Sequence, residues 1–345
     1  MNVQLRQDVA NLMTRAGLPG ICELTPLPGG ANNQVFRVDH SEGTVLAKVY
    51  FHDPNDQRNR LRTEFEFSRF AWAHGLRCLP QPIACEPEAQ LALYEFVPGH
   101  GLTCGQVTSR HVESALAFFH QLNQLRGLPE ARQLADASEA CFSISDHLRC
   151  VERRLHRLIL GPREETALGR EVTRFVTADL LPVLDEIRNT AHRESELHGI
   201  NPYEPIAVED RRLSPSDFGF HNAIVTSSGD LRFVDFEYAG WDDPAKVVCD
   251  FLNQPRVAVP AGCHRQFAEG VAQDSCQPEL QLHRIALLMP VLRLKWCCIL
   301  LNHFLPADSK RRQFAQGAVA EEQKAEQLDM ARHMHESLFA TALES

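Results

Sequence analysis

The residues best suited to chemistry cluster between Ser214 and Asp250, where Asp217, Asn222 and Asp235 supply three oxygen-bearing side chains. Two short apolar runs, 223–226 and 231–234, flank Ser227-Ser228-Gly229-Asp230, which reads as a tight turn between hairpin strands. With Thr226 facing Leu231, the register sets Asn222 opposite Asp235 at the mouth of the hairpin. Directly opposed residues have their Cα atoms about 4.5–5.5 Å apart. An amide oxygen and a carboxylate at that separation suit a hard divalent cation such as Mg2+, which keeps waters and phosphate oxygens in its other positions. Asp217 precedes Asn222 by only five residues, so it is delivered beside this clip, free to act as a base.

Other elements must bring partners to that stretch. Thr44–Tyr50 is an apolar strand interrupted by Lys48, and a buried lysine needs a counter-charge. Glu64 is the expected partner, on a helix over 59–74 whose stripe is Leu61, Phe65, Phe70 and Ala71; Glu66 points elsewhere. Upstream, the loop 28–33 joins strands 22–27 and 34–38, and its Gly29 and Gly30 let backbone amides approach a phosphate. Strands 80–85 and 91–97 follow, and Pro98-Gly99 ends the second. A five-stranded antiparallel sheet with one main helix is predicted. Beyond it the periodicity turns helical: 108–125, a helix opened by Ser145, 164–188 with a bend near Pro182, 279–304, and 314 to the C-terminus.

Taken in order, Gly29-Gly30, Lys48, Glu64, the segment 94–97, Asp217-x-x-x-x-Asn222, Val234-Asp235-Phe236, Asp243-Pro244 and Asp250 resemble the aminoglycoside phosphotransferase and choline kinase group of protein-kinase-like phosphotransferases. The resemblance spans 29–250. It implies an α+β, bilobal fold, with a nucleotide-binding lobe over 1–97 and a helical catalytic and substrate-binding lobe over 98–345. In that family the residue matching Asp217 orients or deprotonates the substrate hydroxyl, and those matching Asn222 and Asp235 hold Mg2+ on ATP. Lys48 would bind the α- and β-phosphates, anchored by Glu64. The backbone of the linker, here through Glu95 and Val97, would hold adenine. One departure is Pro215, which stands where the family carries a His that scaffolds the loop.

The expected activity is transfer of the γ-phosphoryl group of ATP to a hydroxyl of a small molecule. Two alternatives stay open: a nucleotide-binding pseudokinase with a regulatory or binding role, and nucleotidyl transfer to a protein. Retention of Lys48, Asp217, Asn222 and Asp235 together speaks for an enzyme. Only 236–242 separate Asp235 from Asp243-Pro244, which leaves no room for a platform that would cradle a peptide. Glu237, Trp241 and Asp242 are expected to line the mouth beside Asp217. Carboxylates with an aromatic face favour a sugar, an amino sugar or an amino alcohol.

Composition bounds the rest. With 345 residues, 44% apolar and 23% charged, the chain has ample material for a core, and its net charge of -10 disfavours a nucleic-acid partner. The eleven cysteines lack Cys-x-x-Cys spacing, so no disulfide framework or zinc site is indicated. The N-terminus has no apolar signal region, and the apolar stretch 285–305 is broken by Pro290, Arg293, Lys295, Asn302 and His303. That stretch reads as a buried helix, with no membrane partner and a cytoplasmic location.

Overall fold

A computed structural model describes residues 3–28, 32–53, 56, 58–161, 166–316 and 321–340. The expected Gly29 and Gly30 loop lies outside the described residues. The chain opens with α1 (Val3–Arg15), β1 (Ile21–Leu27), β2 (Asn33–His40), β3 (Gly43–Tyr50), α2 (Arg60–Ala73), β4 (Pro82–Glu86) and β5 (Leu91–Glu95). These strands form one antiparallel sheet in the order β1-β2-β3-β5-β4. The two-residue period of β3 explains both faces. Val45 and Ala47 pack with Leu91 and Leu93 beneath Val9, Leu12 and Met13 of α1. On the opposite face, Tyr50 packs with Leu61, Ala92 and Tyr94, so Lys48, two residues before Tyr50, is presented on the α2 side.

The rest of the chain is mainly helical. After the short β6 (His100–Gly101) come α3 (Ser109–Gln124), α4 (Ile144–Leu160), α5 (Ala167–Phe175) and α6 (Leu181–Leu197). Where a bend near Pro182 is expected, a π-helical turn spans Val176–Leu180 and ends two residues before the proline. Pro182 cannot donate to a carbonyl one turn back, and the wider turn absorbs that loss. The small strands β7 (Arg212–Ser214), β8 (Ala223–Val225), β9 (Leu231–Phe233) and β10 (Gly240–Asp242) lead into α7 (Pro244–Asn253). Then follow α8 (His264–Ala272), α9 (Pro278–Leu300), α10 (Pro306–Gln316) and α11 (Glu321–Glu336). Residues 278–304 are long and apolar enough to cross a membrane, yet 78% of their most apolar window is buried. α9 packs against α4, α6, α7, α8 and α11, which makes it the central post of the helical part.

An aromatic cluster fixes the strands that matter most. Phe118 of α3 stacks on Phe233 at 4.9 Å and meets Phe218 at 5.8 Å and Phe236 at 6.1 Å. Phe218 and Phe236 each directly follow an aspartate, Asp217 and Asp235. One buried ring therefore anchors the backbone of both acids. Such pairs contribute about 0.5–1.5 kcal/mol each beyond their area.

Candidate active site

The hairpin β8-β9 has a different register from that predicted. Val225 pairs with Leu231 and Ala223 with Phe233, and the Val234 amide donates to the Asn222 carbonyl at 2.9 Å. Asn222 thus faces Val234, one residue short of Asp235. The cause is the turn: the Thr226 amide donates to the Asp230 carbonyl, leaving a three-residue loop that closes through Gly229 at φ 83°. A one-residue slip sends alternate side chains to the other face. Asp235 instead enters the cleft through a left-handed backbone, φ 68°, just past the last paired residue.

There it meets the sheet. Lys48 Nζ donates to Glu64 Oε2 and to Asp235 Oδ1, both at 2.6 Å. The Tyr50 hydroxyl donates to the same Glu64 oxygen at 2.9 Å. Lys48 and Glu64 side chains are only 8% and 6% exposed. Burial works against the Lys48 charge, but Asp235, Glu64 and Glu237 outweigh it and hold its pKa well above the ordinary value. For Glu64, burial pushes the carboxyl up to about 7, against the pull of Lys48 and with the push of Asp235.

Asp217 lies on the loop after β7. The loop is held by α3, because Asn123 donates to the Leu213 carbonyl at 3.0 Å and accepts from the Leu213 amide at 2.9 Å. The Ser216 amide donates to Ser214 Oγ at 2.9 Å, and the Asn222 side-chain amide donates to the Asp217 carbonyl at 3.0 Å. His221 Nε2 stands 3.3 Å from Asp217 Oδ1. Gly219 makes room for that ring, since a Cβ there would sit 2.8 Å from His221 Nδ1. These contacts support the loop in which Pro215 replaces the family's His. Burial raises the Asp217 pKa, but contact with His221, the nearby Arg256 charge and the Asn222 hydrogen bond prevail and lower it. A carboxylate results, with 35% of its side chain open.

A cleft of about 1190 Å³ joins these groups. Its lining includes Leu46, Lys48, Tyr94, Glu95, Phe96 and Val97 from the sheet and the linker after it, and Ile224 and Asp235 from the hairpin segment. Glu95 is fixed by Arg232 Nη2 at 2.6 Å, and its amide donates to the Gln81 carbonyl at 2.8 Å. Asp217, Asn222 and Asp250 line the same cleft. With its amide nitrogen spent on Asp217, Asn222 keeps its oxygen for a cation, and Asp235 supplies a carboxylate. Among the described residues no group of three or more His, Cys, Asp or Glu could hold a metal. Two oxygen donors fit an ion that keeps its waters and phosphate oxygens, as Mg2+ does.

The three residues expected at the mouth are placed elsewhere. Glu237 is 3% exposed and accepts hydrogen bonds from Asn32 and Asn33, the latter at 2.7 Å, tying the start of β2 to the chain after Asp235. Trp241 and Asp242 belong to β10, which pairs with β7. Trp241 Nε1 donates to the Ala131 carbonyl at 3.0 Å, and Asp242 is fully buried, 2.5 Å from Lys246 Nζ. The segment after Asp235 is thus consumed in strand pairing and an interior ion pair. Asp243 caps α7 by accepting from the Ala245 amide at 2.8 Å.

A sheet carrying a buried Lys–Glu pair, facing a helical part that presents two aspartates and an asparagine to one cleft, defines a protein-kinase-like phosphotransferase fold. The chain belongs to the phosphotransferase enzyme family, abbreviated APH, whose family model matches residues 23–253. It is similar in structure to spectinomycin phosphotransferase APH(9)-Ia in complex with ADP and spectinomycin, with 13% identity, 98% of each chain covered and a TM-score of 0.60. It is also similar to a choline/ethanolamine kinase family protein from Mesorhizobium loti (14% identity, 99% of each chain, TM-score 0.57). A third is the choline kinase LicA from Streptococcus pneumoniae, with 13% identity, 97% of this chain and 99% of that one covered, and a TM-score of 0.58. At such identities the likeness establishes a shared fold. No curated protein sequence matches the chain.

Proposed function

We propose that the protein transfers the γ-phosphoryl group of ATP to a hydroxyl of a small molecule, within the range of sugars, amino sugars and amino alcohols that its family resemblance suggests. In this reading residues 1–97 bind the nucleotide and 98–345 bind the acceptor. The observation that carries it is Lys48 shared between Glu64 and Asp235 in the cleft that also holds Asp217 and Asn222.

Backbone groups at Glu95 and Val97 hold the adenine, and Lys48 meets the phosphates. Asn222 and Asp235 would hold Mg2+, which would offset phosphate charge. Asp217 orients the acceptor hydroxyl. Its proton passes to the Asp217 carboxylate as the acceptor oxygen bonds to the γ-phosphorus and the bond to the bridging oxygen breaks, releasing ADP. A carboxylate of low pKa accepts that proton late, once bond formation has made the hydroxyl acidic. Incubating the protein with ATP, Mg2+ and a panel of hydroxyl compounds, with ADP release and phosphorus NMR as readouts, tests the reading. ADP formation without a phosphorylated acceptor from any compound overturns it.

A further inference from the structure

Two consecutive residues hold Asp217. The Asn222 side-chain amide donates to the Asp217 carbonyl at 3.0 Å, and the ring of His221 reaches the carboxylate itself, with Nε2 standing 3.3 Å from Oδ1. The chain between them fixes that approach. Phe218 and Phe220 are buried on either side of Gly219, Phe218 against Phe251 at 5.0 Å and Phe220 against the same ring at 5.3 Å. The Asn222 amide donates to the Gly219 carbonyl at 3.1 Å, which leads the chain into a short turn over Phe220–Asn222. The His221 side chain is only 9% exposed and is therefore confined beside Asp217.

The two ring nitrogens meet different surroundings. Nε2 faces a carboxylate. Nδ1 is buried and has no hydrogen-bond partner. It lies over Gly219, where a Cβ would come within 2.8 Å of Nδ1 and 3.1 Å of Cε1. A proton on Nδ1 would be a buried donor without an acceptor, which is costly, whereas a proton on Nε2 points at an anion. These surroundings select the neutral tautomer protonated at Nε2, since the contact made by each nitrogen decides which one carries the proton. Pro215 offers neither an N–H nor a polar side chain to do the same from the other side of Asp217.

We propose that His221 is a positioning residue for phosphoryl transfer: its Nε2–H donates to Asp217 Oδ1 and aims the carboxylate at the acceptor hydroxyl, while the imidazole itself neither gains nor loses a proton in the step. This rests on the kinase reading and adds to it the group that orients the base. Gly219 is what permits it, because a side chain at that position would push the ring away from where it lies.

Variants of the whole chain, assayed with ATP, Mg2+ and the acceptor that the panel of hydroxyl compounds yields, separate the donor from packing. His221→Gln sets an amide nitrogen near the place of Nε2 and should keep kcat within about threefold of the wild type, whereas His221→Leu fills the space without a donor and should lower kcat about 10–100-fold, the cost of a misaimed group. The KM for ATP should stay within about twofold in both, because the Asn222 carbonyl is held independently by the Val234 amide at 2.9 Å. Gly219→Ala should lower kcat as His221→Leu does, and should add nothing in the His221→Leu background. A leucine variant as fast as the wild type, a glutamine variant as slow as the leucine one, or additive losses in the double variant overturns the proposal.

A second readout needs no turnover. In proton–nitrogen NMR spectra of histidine-labelled protein, the ring signals lost in His221→Gln should carry the Nε2–H pattern, and the Nε2 signal should move in Asp217→Asn. A ring protonated at Nδ1, or an Nε2 signal indifferent to Asp217→Asn, overturns the proposal. Should no compound be phosphorylated, the kinase reading fails, and these spectra alone decide whether His221 holds Asp217.

Discussion

Lys48 Nζ and Asp235 Oδ1 stand 2.6 Å apart although 187 positions separate them in the chain. This contact joins the sheet to the hairpin segment, and it competes with the Lys48–Glu64 pair for one ammonium. Lys48→Ala should therefore leave two carboxylates facing each other in a buried site. The expected loss is about 3–5 kcal/mol of stability. Urea denaturation without nucleotide measures it, and an unchanged midpoint would show the pair to be dispensable to the fold.

Asp217→Asn keeps the size of the side chain and the contacts that the loop makes through backbone. Turnover should fall by about 10²–10⁴-fold. Nucleotide affinity, measured by calorimetry, should change by less than about twofold, because Asp217 acts on the acceptor. Retained turnover would remove Asp217 from the chemistry.

Asp235→Ala should abolish the dependence of nucleotide affinity on Mg2+. Titration with ATP in Mg2+ and then in EDTA should give the same Kd in the variant and different values in the wild type. A Mg2+ effect that survives in Asp235→Ala places the ion elsewhere.

Phe118 touches the phenylalanine that follows each of the two aspartates. Truncation to Ala should cost about 3–5 kcal/mol and lower kcat more than it weakens nucleotide binding. Denaturation and steady-state kinetics check both parts, and a loss of stability with kcat untouched would show that the ring does not position the acids.

His303 gives a pH dependence. In the folded protein it stays neutral down to about 3, whereas its ordinary value is 6.5. Between those values the unfolded chain binds the extra proton. The stability from this residue is thus fully present above about pH 6.5 and is lost as the pH falls toward 3, with a limiting slope of about 1.4 kcal/mol per pH unit. His303→Gln should flatten the wild-type decline between pH 6.5 and 5 in denaturation midpoints. Parallel curves for the two proteins would contradict the assignment.

The sheet, α2 and most of the helices are legible because apolar residues recur at periods set by the backbone. The hairpin register is not, since its apolar pattern tolerates either loop length, and the choice lies in Gly229 adopting a left-handed turn. The fates of Glu237, Trp241 and Asp242 depend on partners remote in sequence: Asn33, Ala131 and β7. His221 and Arg256 are illegible in the sequence for the same reason, although His221 directly precedes Asn222.

α10 is part of the C-terminal helical run, yet it returns to the sheet: Gln34 donates to the Phe314 carbonyl at 2.7 Å, and the rings of Phe51 and Phe314 lie 5.5 Å apart. The sheet is also joined to the helices by the covalent linker after Glu95. Asn33 bonded to Glu237, Arg232 bonded to Glu95 and Phe67 packed on Phe236 add further ties, so the two parts are stitched together by a seam, and losing any one stitch leaves the others to keep Lys48 over Asp235.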